Sequence, residues 1–405
     1  MLARIPDPNI WRINKATLSL GIAYGMAISL LAVFLARAGY PKDDIGHLAA
    51  AFALGLATFA VPVGVIIRRF SARTTLVVSL LAYAVTVASF PYAVETFWLA
   101  ILLRFLDGAA SVGVWISCET IVLSRAEPAH KAFVTTVYAL AIGLGYLIGP
   151  FAAKGLLALI EMRHIFVVAG VISLLTAGYV ALRLEPDAKV EPVEEGPAGT
   201  ASVGQLVRAI KTSCFGTFAY GYFQSSVVLF LPLYLMADKG IAEDLTILIP
   251  GFFALGMLLF TNVAGRLGDR FGHLLLMRIL TVIGTAMVLG FVVLDAYPLM
   301  ALAVTVAGAT LAAITPLSLA LQGVIVKPAD YSRANSIYNA FYAVGMLLGP
   351  PVSSHIFARY GGAAMLYHLA ALWTGFFVFC VVFRRDDPAT RLGVQPGLAE
   401  ADSPT

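Results

Sequence analysis

Twelve times along the chain an apolar run of roughly 20–30 residues is closed off by charges, Pro or Gly, and no other feature narrows the possible folds as far. Inside hydrocarbon every backbone N–H and C=O must be satisfied within its own segment, so runs of this length are expected to be helices that cross a bilayer. The spans fall at roughly 13–37, 45–67, 74–94, 97–123, 132–158 and 164–183. A second set falls at roughly 208–236, 245–267, 273–294, 297–325, 333–358 and 363–383. Of the 405 residues, 60% are hydrophobic and 12% charged, where a soluble domain holds about 45–50% and about 25%. The chain reads as an all-α membrane protein of twelve transmembrane helices in two sets of six.

The polar, Pro- and Gly-rich stretch 184–207 cannot form a core and reads as a linker between an N-terminal bundle, 1–183, and a C-terminal bundle, 208–384. The stretch 385–405 has the same character and reads as a tail. Near the start, Met1–Leu20 has no small-residue cleavage site and runs into a full-length apolar segment, as a first membrane helix does. Of the 27 Lys and Arg residues, Arg37, Lys42, Lys154, Arg163, Lys239 and Arg359 fall on one side of the membrane. Arg104 lies within it, and the remaining twenty lie on the other side. The basic side is expected to be the cytoplasmic one, which puts both termini and the linker inside.

The net charge of +4 is scattered in short clusters between spans and offers no face for nucleic acid. Cys118, Cys214 and Cys380 all fall inside spans, and neither they nor His355 and His368 have metal-ligand spacing, so no cofactor or metal is expected. The halves repeat. At an offset of 200, Gly21, Tyr138, Gly145, Gly149 and Pro150 meet Gly221, Tyr338, Gly345, Gly349 and Pro350. Six helices separate the copies, so both have the same membrane orientation, a parallel repeat with its site expected where the halves meet.

The fourth span breaks the apolar rule. It carries Arg104, Asp107 and Glu119, and the spacing of Arg104, Asp107, Ser111, Trp115 and Glu119 puts all five on one drifting stripe. An ionised side chain facing lipid costs at least ~2.5–3.5 kcal/mol, so the stripe faces protein or water. Arg104 either holds a nearby carboxylate charged until substrate or a conformational change intervenes, or merely neutralises Asp107 at i+3. Asp107 is the candidate proton carrier, and Glu119 either joins it or pins Arg69 or Arg73 near the cytoplasmic end. The matching positions of the second half are Val304, Ala307 and Leu319, which leaves any coupling charge in the first half.

The loop Gly265–His273, GRLGDRFGH, resembles the signature loop of the major facilitator superfamily, Gly-x-x-x-Asp-Arg-x-Gly followed by a basic residue. The resemblance implies a latch at Gly265, Asp269, Arg270 and Gly272 that holds helix ends together in one conformation. Its first-half copy keeps Gly64, Arg69 and Arg73 but has Arg68 for the acid and Ser71 for the second Gly. Arg104…Gly108 is similar to the fourth-helix element that the family associates with proton coupling. Gly145, Gly149 and Pro150 are similar to a fifth-helix element of drug and metabolite antiporters, with Gly345, Gly349 and Pro350 as the repeat copy. Small residues at i+4 make this first of all a helix-packing motif. The likeness runs from about Trp11 to Arg385 and points to a bacterial branch near the drug:H+ antiporter families.

That family lines its cavity with helices one, four, seven and ten, which by resemblance makes Tyr24, Met26, Ser111, Trp115, Tyr220, Phe223, Gln224 and Thr310 candidate substrate-binding residues. An aromatic wall with few charges suits bulky, partly apolar solutes. The expected activity is proton-coupled export of a small organic compound, drug-like or a metabolite, by a monomer embedded in lipid. The alternatives are proton-coupled uptake of a nutrient such as a sugar, amino acid, vitamin or siderophore, and a non-transporting receptor. No catalytic motif, filter-like loop or ATP-binding loop supports an enzyme, a channel or a pump.

Overall fold

The computed structural model describes residues 7–127, 130–186, 201–327 and 330–387, and every regular element among them is a helix. The first half comprises α1 (Pro8–Arg37), α2 (Lys42–Phe70), α3 (Ala72–Ala93), α4 (Phe97–Arg125), α5 (Lys131–Leu157) and α6 (Met162–Arg183). The second comprises α7 (Val203–Ala209), α8 (Lys211–Ala237), α9 (Glu243–Thr246), α10 (Ile249–Phe271), α11 (His273–Val293), α12 (Tyr297–Leu311), α13 (Ile314–Ile325), α14 (Tyr331–Tyr360) and α15 (Gly362–Val382). Eleven spans are long and apolar enough to cross a membrane. The twelfth, α14, has 30 residues but is more polar, with Asn335, Asn339, Ser353 and Ser354 among them. Large apolar side chains such as Val61, Val293 and Val382 stand exposed, as a lipid-solvated surface requires.

Three elements exceed the expected twelve, each for a local reason. The short α7 begins with a capping box in which Ser202 and Gln205 satisfy each other's backbone N–H. The single turn α9 precedes α10. The tenth span breaks between α12 and α13 because Pro316 lacks an N–H and its ring crowds the carbonyl of Ala312.

Close helix contacts are set by glycine. On α5, Gly145 and Gly149 lie against Gly21 and Gly25 of α1, and a Cβ added at Gly145 would stand 2.5 Å from the Gly21 Cα. Gly55 of α2 and Gly108 of α4 bring those two backbones together in the same way, against Phe105 and Phe52. The second half repeats both contacts, Gly345 and Gly221 on α14 and α8, and Gly256 of α10 against Thr305 of α12. Backbones this close gain dispersion energy that lipid cannot supply.

Packing divides the described residues into two units that do not follow the sequence halves. The first holds the first half together with Ser226–Ala254 and Pro350–Ala358, and the second holds the remainder of the second half. Within the first unit, the sparsely basic side is tied by Arg37 to Glu243 at 2.8 Å and Lys154 to Asp244 at 3.0 Å. Lys42 sits over the Phe357 ring at 4.2 Å.

On the basic side, Glu185 just past α6 accepts from Arg12 at 3.0 Å and from Asn9 at 3.1 Å, both near the start of α1. The Asn9 amide first, and then Arg12, hold the Glu185 carboxyl below the usual carboxylate range. The second unit has a counterpart, Asp386 accepting from Lys211 and Thr212, so in each half the residues after the last helix are stapled to the first.

Candidate functional site

On α4, two turns of helix bring Arg104, Asp107 and Ser111 onto one face. Arg104 pairs with Asp107, and Ser111 donates to the same carboxylate at 3.4 Å. Asp107 is 5% exposed, and Arg104 is part-buried beside it. Gly108 makes this possible: without a side chain there, α2 approaches until the Phe52 ring lies 4.6 Å from the Arg104 guanidinium. A cation over a ring in a desolvated site gains about 2 kcal/mol. The Arg104 Nε has no hydrogen-bond partner among the described residues.

Tyr24 of α1 is the hub beside this pair. Its ring lies 6.3 Å from Phe52 (α2), 6.0 Å from Tyr83 (α3), 5.9 Å from Trp115 (α4) and 5.4 Å from Tyr146 (α5). One side chain thus touches aromatics from four other helices. Beyond it lies a cavity of about 30 Å³ lined by Tyr24, Ala27, Tyr83, Thr86, Arg104 and Asp107, among others. Glu119, at the far end of the stripe, is exposed. Sequence reasoning singled out Tyr24, Trp115 and the charges but missed Phe52, Tyr83 and Tyr146. These come from three further helices, and no spacing in the sequence links them.

The other candidates are placed as follows. Met26 and Phe223 are each 1% exposed, and Phe223 packs edge-on against Trp373 of α15. Thr310 donates to the carbonyl of Val306 on its own helix. Gln224 accepts from the Tyr342 hydroxyl at 2.9 Å, and Tyr342 stacks on Tyr220. The second unit therefore presents a neutral amide and two tyrosines on α8 and α14.

In the signature loop, Asp269 meets His273 at 3.3 Å and Arg270 lies over Phe271. Gly272 has φ 94°, a conformation that favours glycine. Ser71 stands at the matching place between α2 and α3 with φ 87°. The departure from Gly therefore preserves the turn, at a strain of about 1–3 kcal/mol, and the Ser71 hydroxyl caps α3 by accepting from the Thr74 N–H. Arg69 lies over Phe70, and Arg73 donates to the Ala181 carbonyl of α6.

Eleven apolar spans and the more polar α14, in two repeated halves with a charge pair buried in one of them, define a polytopic transporter scaffold. The sequence profile of the Major Facilitator Superfamily matches residues 16–215 and 213–401, and the chain belongs to that family. It is similar to the MFS-type transporter YcaD of Salmonella arizonae, 22% identical over 359 residues, covering 88% of this chain and 90% of that one. The MFS-type transporter YfkF of Bacillus subtilis is 23% identical over 292 residues, 69% of this chain and 72% of that one. Among solved structures, the nucleoside transporter NupG superposes with TM-score 0.77 at 13% identity, covering 93% of this chain and 99% of that one. A bacterial homologue of the human lysosomal transporter Spinster superposes with TM-score 0.72 at 13% identity, covering 93% and 95%. These two likenesses show the fold. The protein is a multi-pass membrane transporter of the superfamily, whose members bind small-molecule substrates.

Proposed function

We propose that the protein is a proton-coupled exporter of a bulky, partly apolar organic compound, acting as a monomer in a bacterial cytoplasmic membrane with both termini inside. The observation that carries this reading is the Arg104–Asp107 pair, buried at mid-span in a helix that has no structural need of charge. Asp107 takes up a proton when its bond to Arg104 opens, and returns it when the bond re-forms. Since a bound proton changes which partner Asp107 prefers, it biases one facing state of the two bundles, 1–183 and 208–384, over the other. The aromatic hub at Tyr24 and Trp115 offers rings to the solute, a surface that suits flat apolar compounds. The drug:H+ antiporter branch is the corresponding assignment.

Export by antiport separates from uptake by symport in one experiment. Purified protein is reconstituted in vesicles, a pH gradient is imposed, and a panel of fluorescent lipophilic dyes is followed. Antiport predicts dye accumulation only when the lumen is the more acidic side, whichever way the protein is inserted. Accumulation only with an alkaline lumen would sink the export reading and leave proton-coupled uptake.

A further inference from the structure

The cavity beside Asp107 has a direction, a floor and a roof. Its lining runs from Tyr24 through Ala27 to Leu31 on α1, and from Tyr83 through Thr86 to Phe90 on α3. Both series run away from the basic end of their helix pair and toward the sparsely basic side. Asp107 and Arg104 form one wall. The floor is the stacked pair Tyr24–Tyr83. At the opposite end Phe90 and Phe166 line the space, and Phe34 packs on both, 6.5 Å from Phe90 and 5.2 Å from Phe166, which lie 6.1 Å apart.

Between floor and roof the lining is mixed: Ala27, Ile28, Leu31, Val87 and Leu103 are apolar, and Thr86, Arg104 and Asp107 are polar. The Tyr83 hydroxyl is buried, with no partner among the described residues, and so is the Arg104 Nε–H, while Asp107 supplies acceptor oxygens. Unpartnered buried donors each cost about 1–3 kcal/mol. A cavity of about 30 Å³ has room for about two waters, at ~10–15 Å³ of water-centre space each. Waters here would lie against the polar part of the lining, Thr86, Arg104 and Asp107, whereas a purely apolar void would stay dry.

We infer that this pocket is a two-water proton port. It connects Asp107 to the sparsely basic side of the membrane through the interior of the first bundle, with Phe34, Phe90 and Phe166 as a dewetting gate. Protons then reach the carboxylate by a route separate from the solute's. The titratable or charged groups facing Asp107 are Arg104 on its own helix, Tyr24 on α1 and Tyr83 on α3; α6 contributes Phe166 to the lining. The inference rests on Asp107 as proton carrier and adds the path by which it is served.

The test needs no substrate. Full-length protein in lipid is exposed to a rapid change from H2O to D2O, and the protonated-carboxyl infrared band that Asp107→Asn removes is followed over time. The port predicts that Ala27→Leu, which fills the space, slows exchange of that band about tenfold. Phe166→Ala, which thins the roof, should accelerate it. Equal exchange rates in wild type, Ala27→Leu and Phe166→Ala would overturn the port while leaving Asp107 as carrier. Absence at every pH of a band that Asp107→Asn removes would overturn the carrier reading and the port with it.

Discussion

Replacing Gly145 by Ala tests whether the α1–α5 contact is as tight as its geometry says. The added Cβ would stand 2.5 Å from the Gly21 Cα, 2.6 Å from its carbonyl carbon and 2.8 Å from the Ile22 nitrogen. All three are backbone atoms of a helix, so no side chain can swing aside. Restoring an ordinary contact of about 3.4–4 Å requires the two helices to part by roughly 1 Å. The gap would open along the whole seam that includes Gly25 and Gly149. Overpacking of this kind costs about 1–3 kcal/mol, a loss of roughly 5- to 150-fold in the folding equilibrium. Gly155 is the internal control, since it lies on the same helix with nothing within 4 Å of an added Cβ. Gly155→Ala should stabilise by up to about 0.5–1 kcal/mol through helix preference alone. The assay is unfolding of the purified protein by stepwise addition of SDS, read by tryptophan fluorescence. Combining Gly21→Ala with Gly145→Ala should be less than additive, because both open the same gap. Equal stability of the Gly145 and Gly155 variants would refute the reasoning.

Other perturbations have equally definite signs. Ser71→Gly should raise stability by about 1 kcal/mol, since it relieves positive-φ strain and loses only a few tenths from the cap; a lower unfolding midpoint would contradict this. The depressed Glu185 carboxyl contributes stability that is fully present above the ordinary Glu pKa of ~4.3 and is lost as pH falls through its lower folded value. The melting-temperature difference between wild type and Glu185→Gln should therefore be constant from neutral pH down to the ordinary carboxylate range and collapse only below it; collapse already near neutrality would argue against the staple. Gln224→Leu removes the acceptor of the Tyr342 hydroxyl and should cost about 1–3 kcal/mol, with Tyr342→Phe in the same background restoring most of it.

The membrane class and the helix count were legible because hydropathy at span length is a local signal. Breaks within spans were less so. Pro316 marks the split between α12 and α13, but the overall hydropathy of that stretch carries across it. The offset-200 repeat pointed to Gly145 and Gly149, yet Gly25, which completes the four-glycine seam, has no repeat partner, since Ser225 stands there. The Arg104–Asp107 pair was readable from i,i+3 spacing and the cost of charge in lipid. The hub and the pocket were not. Phe52, Tyr83, Tyr146 and the Phe34–Phe90–Phe166 roof are ordinary apolar-helix residues in sequence, and only tertiary packing brings them together. Likewise, the first-half loop departs from the signature at Ser71, while its backbone matches the Gly272 turn at positive φ.

Proton movement itself is the direct test of the central claim. Vesicles containing wild type or Asp107→Asn, with a pH-sensitive dye in the lumen, are given the dyes that the wild type accumulates. The account predicts that solute addition moves protons in the opposite sense to solute in the wild type, and that Asp107→Asn abolishes this while still binding solute. Solute-driven proton movement of wild-type size in Asp107→Asn would contradict the account and leave Asp107 as a structural partner of Arg104.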